Sequence, residues 1–298
     1  MNRSNRVFVT HVNHFSALAS MDRLLQRFSG CLPDSCLCIS VKINLCDYRK
    51  AASGATTDPI MLDALLGVLR LRYPAAEITI LENDASAVEA HSLFALLGIR
   101  DVAKIHGARL LNVAEGNWVT KSIPKPHIFP ELEVPEVLEK TDLFVNFAKL
   151  KTNSLTKTTG CLKNIFALLR TKRKSVYHPR INEVLADMNQ VIHPDLCIVD
   201  GYIGMEGQGP AFGVPKRCEL LIGGVDPVAV DACCARIMGF NPWFVKHIRM
   251  CHRLGVGAIR YQLETDVANF NYRGYHFDYS RLEHFARAML RRRVGVAG

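Results

Sequence analysis

Between Lys149 and Asn164 the chain reads KLKTNSLTKTTGCLKN, which carries four lysines and five hydroxyl side chains in 16 residues. Ammonium groups, hydroxyls and loop amides together supply the charge-assisted hydrogen bonds that a phosphate or carboxylate needs. The pattern G-x-x-x-x-G-K-[ST] is absent, so this is not a nucleotide-binding P-loop. A second cluster is Asp200-Gly201 followed by Glu206-Gly207-Gln208-Gly209-Pro210, with Gly213 beyond. Its glycines permit tight turns and close approach to a ligand. Asp200 and Glu206 could hold a divalent cation through oxygen, or one of them could serve as a general base; the competing reading is a turn-rich connection with solvated acids. A third stretch, GGVDPVAVDACCA, holds Asp226 and Asp231. Asp226 is most simply a helix N-cap, although it could share the same edge as the other clusters and help hold a metal. Among the histidines, His178 follows TKRKSVY and is the acid–base candidate; His91, His106 and His247 lie in helix-like stretches and read as structural.

These clusters follow short apolar runs of buried-strand type. Lys42 and Asn44 close CLCISVKIN, Glu82 to Asp84 follow EITIL, Lys149 and Lys151 follow LFVNF, and Asp200 follows DLCIV. In an open parallel sheet with helices between the strands, residues just past the strand ends share one edge, and that edge is where such folds bind ligands. The expected fold is therefore α/β, a mainly parallel sheet with helices on both faces and its site at the C-terminal strand ends. Asp58-Pro59 marks the start of a helix to Arg72, and Asp226-Pro227 repeats the signal for a helix through Met238. Asn241-Pro242 gives it a third time. Ser86 and Glu89 have capping-box spacing, with Gly98 as a stop. Strands are expected at Ile78 to Leu81, Arg109 to Val113, Leu143 to Phe147, Leu196 to Val199 and Glu219 to Ile222, and a helix over Arg180 to Gln190. The proline-punctuated stretch from Ile123 to Pro135 reads as a long loop or boundary. Residues 1–257 are expected to form the α/β domain and residues 258–298 a helical extension ending in a helix from Tyr279 to Arg293.

Hydrophobic content of 49% and charged content of 22% are those of a soluble globular chain, and 298 residues suffice for a substantial core. No apolar run of about 18 residues predicts a membrane span, and the opening MNRSNRVFVTHVNHF lacks a signal-peptide core, so the expected address is the cytoplasm. The ten cysteines are scattered, mostly in apolar segments where a reduced thiol packs as a small hydrophobe. Only Cys31, Cys36, Cys38 and Cys46 are dense, and their spacing is not that of a zinc or cluster site. The net charge is +9, with runs at Arg170, Lys172, Arg173 and Lys174 and at Arg291 to Arg293. Such runs read first as solvated faces, and otherwise as an attraction for anions or acidic partners.

The stretches VKINL, TTDP, NFAKLKTN, GCLKN, the His178 region, DGYIGMEGQGPAFG, GGVDPVAVDA and LGVG occur in an order that resembles the domain-of-unknown-function 362 family. The resemblance covers roughly residues 38–257 and implies a single α/β domain of mostly bacterial and archaeal distribution. Many relatives also carry a ferredoxin-type cluster domain or cysteine-rich segment; here C-x-x-C-x-x-C-x-x-x-C-P does not occur, so that redox partner is either missing or supplied by another protein. A second departure is Asn153, where relatives usually carry histidine. The leading functional reading is an enzyme for a small anionic substrate. Lys42, Asn44, Lys149, Lys151, Lys163, Asn164, Gly207 and Gly209 would bind its carboxylate or phosphate, with Asp200, Glu206 and His178 catalytic. A divalent metal would sit on Asp200, Glu206 and Asp226, with Asp58 and Glu82 in support. The alternatives are an oxidoreductase or iron–sulfur-associated protein that uses an external ferredoxin, and, ranked last, a basic-surface binder of nucleic acid or an acidic partner, because few aromatics accompany the basic runs.

Overall fold

The computed structural model describes residues 4–85, 88–210 and 212–279. Its strands are β1 (Arg6–His11), β2 (Cys38–Lys42), β3 (Glu77–Glu82), β4 (Arg109–Asn112), β5 (Trp118–Ser122), β6 (Glu131–Pro135), β7 (Leu143–Asn153), β8 (Lys157–Thr159), β9 (Leu196–Gln208), β10 (Phe212–Gly224) and β11 (Gln262–Thr265). Its helices are α1 (Ala17–Arg27), α2 (Pro59–Arg72), α3 (Ala90–Leu96), α4 (Ile99–Ile105), α5 (Cys161–Asn164), α6 (Ile181–Met188), α7 (Pro227–Ile237) and α8 (Lys246–Arg253). The main sheet runs β11-β1-β10-β9-β7-β2-β3-β4, with β8 hairpinned onto β7. From β9 through β4 every neighbour is parallel. Only β10 breaks the sense of the main path, antiparallel to both β9 and β1.

Alternation along each strand feeds two apolar layers. On one face Ile39, Val41, Ile78, Ile80, Val145, Phe147 and Ile198 pack with Met21, Leu24, Leu65 and Phe94 of α1, α2 and α3. On the other, Val7, Ala148, Cys197, Val199 and Ile222 meet Ala229, Val230, Cys233 and Ile237 of α7. The fold is thus the expected one, a mainly parallel sheet between helices. Asp58 caps α2 by accepting from the Ile60 amide at 2.9 Å, with Pro59 at the first helical position. Among the described residues no helix is long and apolar enough to cross a membrane.

Several expectations change. The stretch from Ile123 to Pro135 is no plain loop: β6 within it pairs with β5 in a separate two-stranded ribbon. β7 runs six residues past Phe147, and all eleven of its residues are buried. The glycine-rich segment after Val199 is not a set of turns but the outer half of β9, paired with β10 as far as Gln208. Asn241-Pro242 opens only a 3-10 turn, Pro242–Phe244. Beyond residue 257 the chain is not purely helical, because β11 joins the main sheet beside β1. Ser86, the arginine run at 291–293 and all but the first residue of the expected C-terminal helix lie outside the described residues.

Candidate functional site

A cavity of about 230 Å³ opens at the carboxyl ends of β2, β3 and β7. Four lysines line it: Lys42 at the end of β2, Lys151 near the end of β7, Lys163 in α5, and Lys174. Local structure holds this edge in place. The Asn44 amide donates to Thr57 Oγ1 at 2.8 Å, the Thr57 amide donates to the Asn44 carbonyl at 2.8 Å, and Thr56 Oγ1 adds a bond to the same carbonyl at 3.0 Å. The TTDP motif therefore pins the loop after β2, while its aspartate starts α2.

Each ammonium except one is anchored. Lys42 Nζ, fully buried, donates to Glu82 Oε1 at 2.7 Å and to the Ile43 carbonyl at 2.6 Å. Lys151 Nζ donates to Asn44 Oδ1 at 2.7 Å and to the Ala55 carbonyl at 2.6 Å. Lys174 Nζ donates to the Asp84 carbonyl at 2.7 Å. Lys163 has no hydrogen-bond acceptor among the described residues, and its ammonium lies 5.6 Å from the Phe166 ring centroid. An ammonium carries three donors; Lys151 directs its third to Cys46 Sγ at 3.8 Å, so Lys42 and Lys174 keep N–H capacity for a ligand while Lys151 contributes its charge. Burial pushes all four lysines below the usual ammonium range. For Lys163 and Lys174 the result is about 8; neighbouring Lys151 adds to the effect at Lys163, whereas at Lys174 the Glu82 carboxylate opposes it.

The two carboxylates at the cavity are already committed. Glu82 accepts from Lys42, from the Asn83 amide at 2.9 Å and from the Leu45 amide at 2.8 Å. Asp84 accepts from the Ala90 amide at 3.0 Å and from Asn112 at 2.9 Å, and Lys172 lies 3.4 Å away. Burial alone would raise the Asp84 carboxyl, but these donors hold it below the ordinary range. A chain of amides backs the lysines: Asn44 Nδ2 donates to Asn164 Oδ1 at 2.9 Å, Asn164 Nδ2 to Asn146 Oδ1 at 2.8 Å, and Asn146 Nδ2 to the Cys161 carbonyl at 2.9 Å. With Lys151 bonded to Asn44 Oδ1, the orientation of every amide in the chain is fixed.

Of the residues singled out in the sequence, Lys42, Asn44, Lys151, Lys163, Asn164 and His178 meet at this cavity. His178 is exposed at the rim, 6.4 Å between ring centroids from Phe166. The others are elsewhere. Lys149 lies inside β7 and forms a fully buried pair with Asp200 at 2.7 Å, the second oxygen of Asp200 accepting from the Tyr202 amide at 2.9 Å. Burial raises the Asp200 carboxyl, Lys149 opposing and Asp58 reinforcing the rise. Glu206, six positions along the same strand and past a register irregularity, pairs with Lys216 at 3.0 Å and accepts from the Asp278 amide at 2.7 Å. Asp226 caps α7 through the Val228 and Ala229 amides and accepts from the Ala258 amide at 2.8 Å. Asp58, besides its cap, pairs with His14 at 2.9 Å. Asp200, Glu206 and Asp226 thus do not converge on a shared cation, and no group of three potential ligands occurs among the described residues. Gly207 and Gly209 serve the backbone: the Gly207 carbonyl accepts from Thr152 Oγ1 at 2.9 Å, and a Cβ on Gly209 would strike the Thr152 carbonyl.

Sequence reasoning missed Lys174, hidden in a run that reads as a solvated face but is itself 8% exposed. Arg170 of the same run pairs with Glu133. It also gave no role to Asp231, whose carboxylate reaches from α7 to accept from the Cys161 and Leu162 amides at 2.7 and 3.0 Å. Burial raises that carboxyl to about 7 against the pull of the two amides. This bond sets α5, and with it Lys163 and Asn164. A Cβ on Gly160 would collide with the Asp231 carboxylate. Gly160→Ala is therefore expected to displace it and cost about 1–3 kcal/mol, the price of stranding buried polar groups. A denaturant midpoint unchanged from wild type would contradict that role. Asn153 closes the β7–β8 turn, accepting from the Leu155 amide at 2.9 Å and the Thr156 amide at 3.1 Å, as well as lining the cavity.

Sheet topology and cavity together define an α/β protein with a lysine-lined cleft at its carboxyl strand ends. The chain belongs to the family described as Domain of unknown function (DUF362), whose model matches residues 39–236. A thylakoid-associated protein of Synechocystis sp. is 31% identical over 149 residues, which are 47% of this chain and 46% of that protein. The chain thus matches less than half the length of this curated relative. Among solved structures, the lactate racemase apoprotein from Thermoanaerobacterium thermosaccharolyticum is similar at 12% identity and a TM-score of 0.44, over 78% of this chain and 57% of that one.

Proposed function

We propose that this protein is an enzyme that binds a small carboxylated or phosphorylated molecule in the lysine-lined cleft, in the cytoplasm. One observation carries the reading: four lysines converge on one cavity whose two carboxylates are already saturated by protein donors. Such a site has an unmet demand for negative charge, and its burial makes each charge-assisted bond stronger than in water. Cavity size restricts the ligand to a small molecule. His178, exposed at the rim, would exchange protons with it, and the metal-assisted version of the reaction has no support in the arrangement of Asp200, Glu206 and Asp226.

Calorimetric titration with a panel of mono- and dicarboxylates and phosphorylated acids tests the reading. Low-affinity or absent binding across the panel would reject it. Two further outcomes are expected. Lys174→Met should weaken binding about tenfold, the loss of one charge-assisted bond. Affinity should hold below about pH 7 and fall as pH rises past about 8, because the protonated ammonium binds the anion and Lys163 and Lys174 lose their protons there. A decline beginning only near the ordinary lysine value of 10.5 would show that neither residue holds the ligand.

A further inference from the structure

We propose that Lys163 is a covalent nucleophile that forms an imine with the carbonyl carbon of a 2-oxo carboxylate held in the cleft. The inference rests on the anion-binding reading and narrows its ligand to acids that carry a ketone or aldehyde.

The four cleft lysines are not equivalent. Lys42, Lys151 and Lys174 each donate to a fixed oxygen of the protein, which fixes where their nitrogens point. Lys163 alone has no such acceptor among the described residues, and only the face of Phe166 attends its nitrogen. A ring face steadies an ammonium but binds no lone pair, so the neutral amine is left with its lone pair available. Burial beside Lys151 holds Lys163 at about 8, which gives about a tenth of the neutral amine at pH 7, where an ordinary lysine gives less than a thousandth. Desolvation next to a second cation is a known way to activate a lysine toward carbonyl carbon. The helix that carries Lys163 is fixed by Asp231, so the amine is presented on a held backbone.

The step balances without an oxidant or a second substrate. Neutral Nζ attacks the ketone carbon, forming a C–N bond while the ketone oxygen takes up a proton. The nitrogen of the carbinolamine then releases a proton, the hydroxyl leaves as water with a further proton, and a protonated imine remains. In net terms an ammonium and a ketone give an iminium and one water. Lys174, with unused N–H groups, would hold the carboxylate, and Lys151 would add its charge. The iminium draws electrons from the adjoining carbon, which prepares it to lose a proton.

The test is reductive trapping of the full chain with pyruvate or glyoxylate and sodium cyanoborohydride, followed by peptide mapping. A parallel calorimetric titration uses lactate, which has the carboxylate but no carbonyl. The expected result is a single secondary amine at Lys163, suppressed by excess lactate and lost in Lys163→Arg. Adducts spread over exposed lysines, or none at Lys163 with either acid, would overturn the proposal. Lactate binding without trapping would reject the imine and leave the anion site standing; absence of both would reject the two together. The wild-type map decides the matter even if the arginine variant fails to fold.

Discussion

Asp200→Ala is expected to lower folding stability by about 3–5 kcal/mol, the cost of leaving one member of a buried ion pair without its partner. Lys149 and Asp200 face each other across the β7–β9 register, fully buried and 2.7 Å apart. Removing the carboxylate strands an ammonium in the sheet and also frees the Tyr202 amide. The paired replacement Lys149→Met with Asp200→Leu should recover most of the loss, since an apolar pair of similar volume carries no desolvation penalty. Chemical denaturation of the three variants checks this. A stable Asp200→Ala protein that has merely lost activity would restore Asp200 to the catalytic place that its position in the sequence suggests.

The second large effect concerns the ligand. Lys151→Met should reduce anion affinity about 100-fold, through the combined loss of its charge and of the side chains it orients. Lys151 carries more than its own charge: it orients Asn44, and through Asn44 the amide chain to Asn164 and Asn146. Methionine keeps the volume but leaves the Ala55 carbonyl and Asn44 Oδ1 without their donor. Some stability will go with the affinity, so circular dichroism and a denaturation midpoint must accompany the titration. Glu206→Gln is the control. It breaks the pairing with Lys216 at the outer end of β9 and should leave affinity unchanged. Equal losses in both variants would mean that the cleft lysines have no special standing.

Much of this was legible from the chain itself. Parallel topology brings strand ends together, so Lys42, Asn44, Lys151, Lys163 and Asn164 could be grouped without a structure. What failed was the assumption that a polar residue ends a strand. Lys149 alternates with Ala148 and Leu150 inside β7, and its charge is tolerated there only because β9 sets Asp200 opposite. That register is a property of two strands, and neither segment alone announces it. Glu206 was misplaced for a related reason: glycines that look like turn formers are there so that β9 can pass close to β7 and β10 close to β9. Lys174 shows the opposite error, one buried cation in a run whose neighbours are exposed. The roles of Asp58 and Asp226 as caps were visible because an aspartate before proline has local meaning.

β7 is at once the spine of the sheet and a wall of the cleft. Its eleven residues are buried from end to end, so the wall cannot yield without disturbing both apolar layers. A surface already in its bound shape loses little entropy when a guest arrives, and complexes of this kind gain affinity by preorganisation rather than by added contacts. The same stiffness works against larger guests, which a flexible loop could have accommodated. Discrimination in this protein therefore falls to exclusion: the wall turns away what is too large, and the lysines sort the remainder by charge.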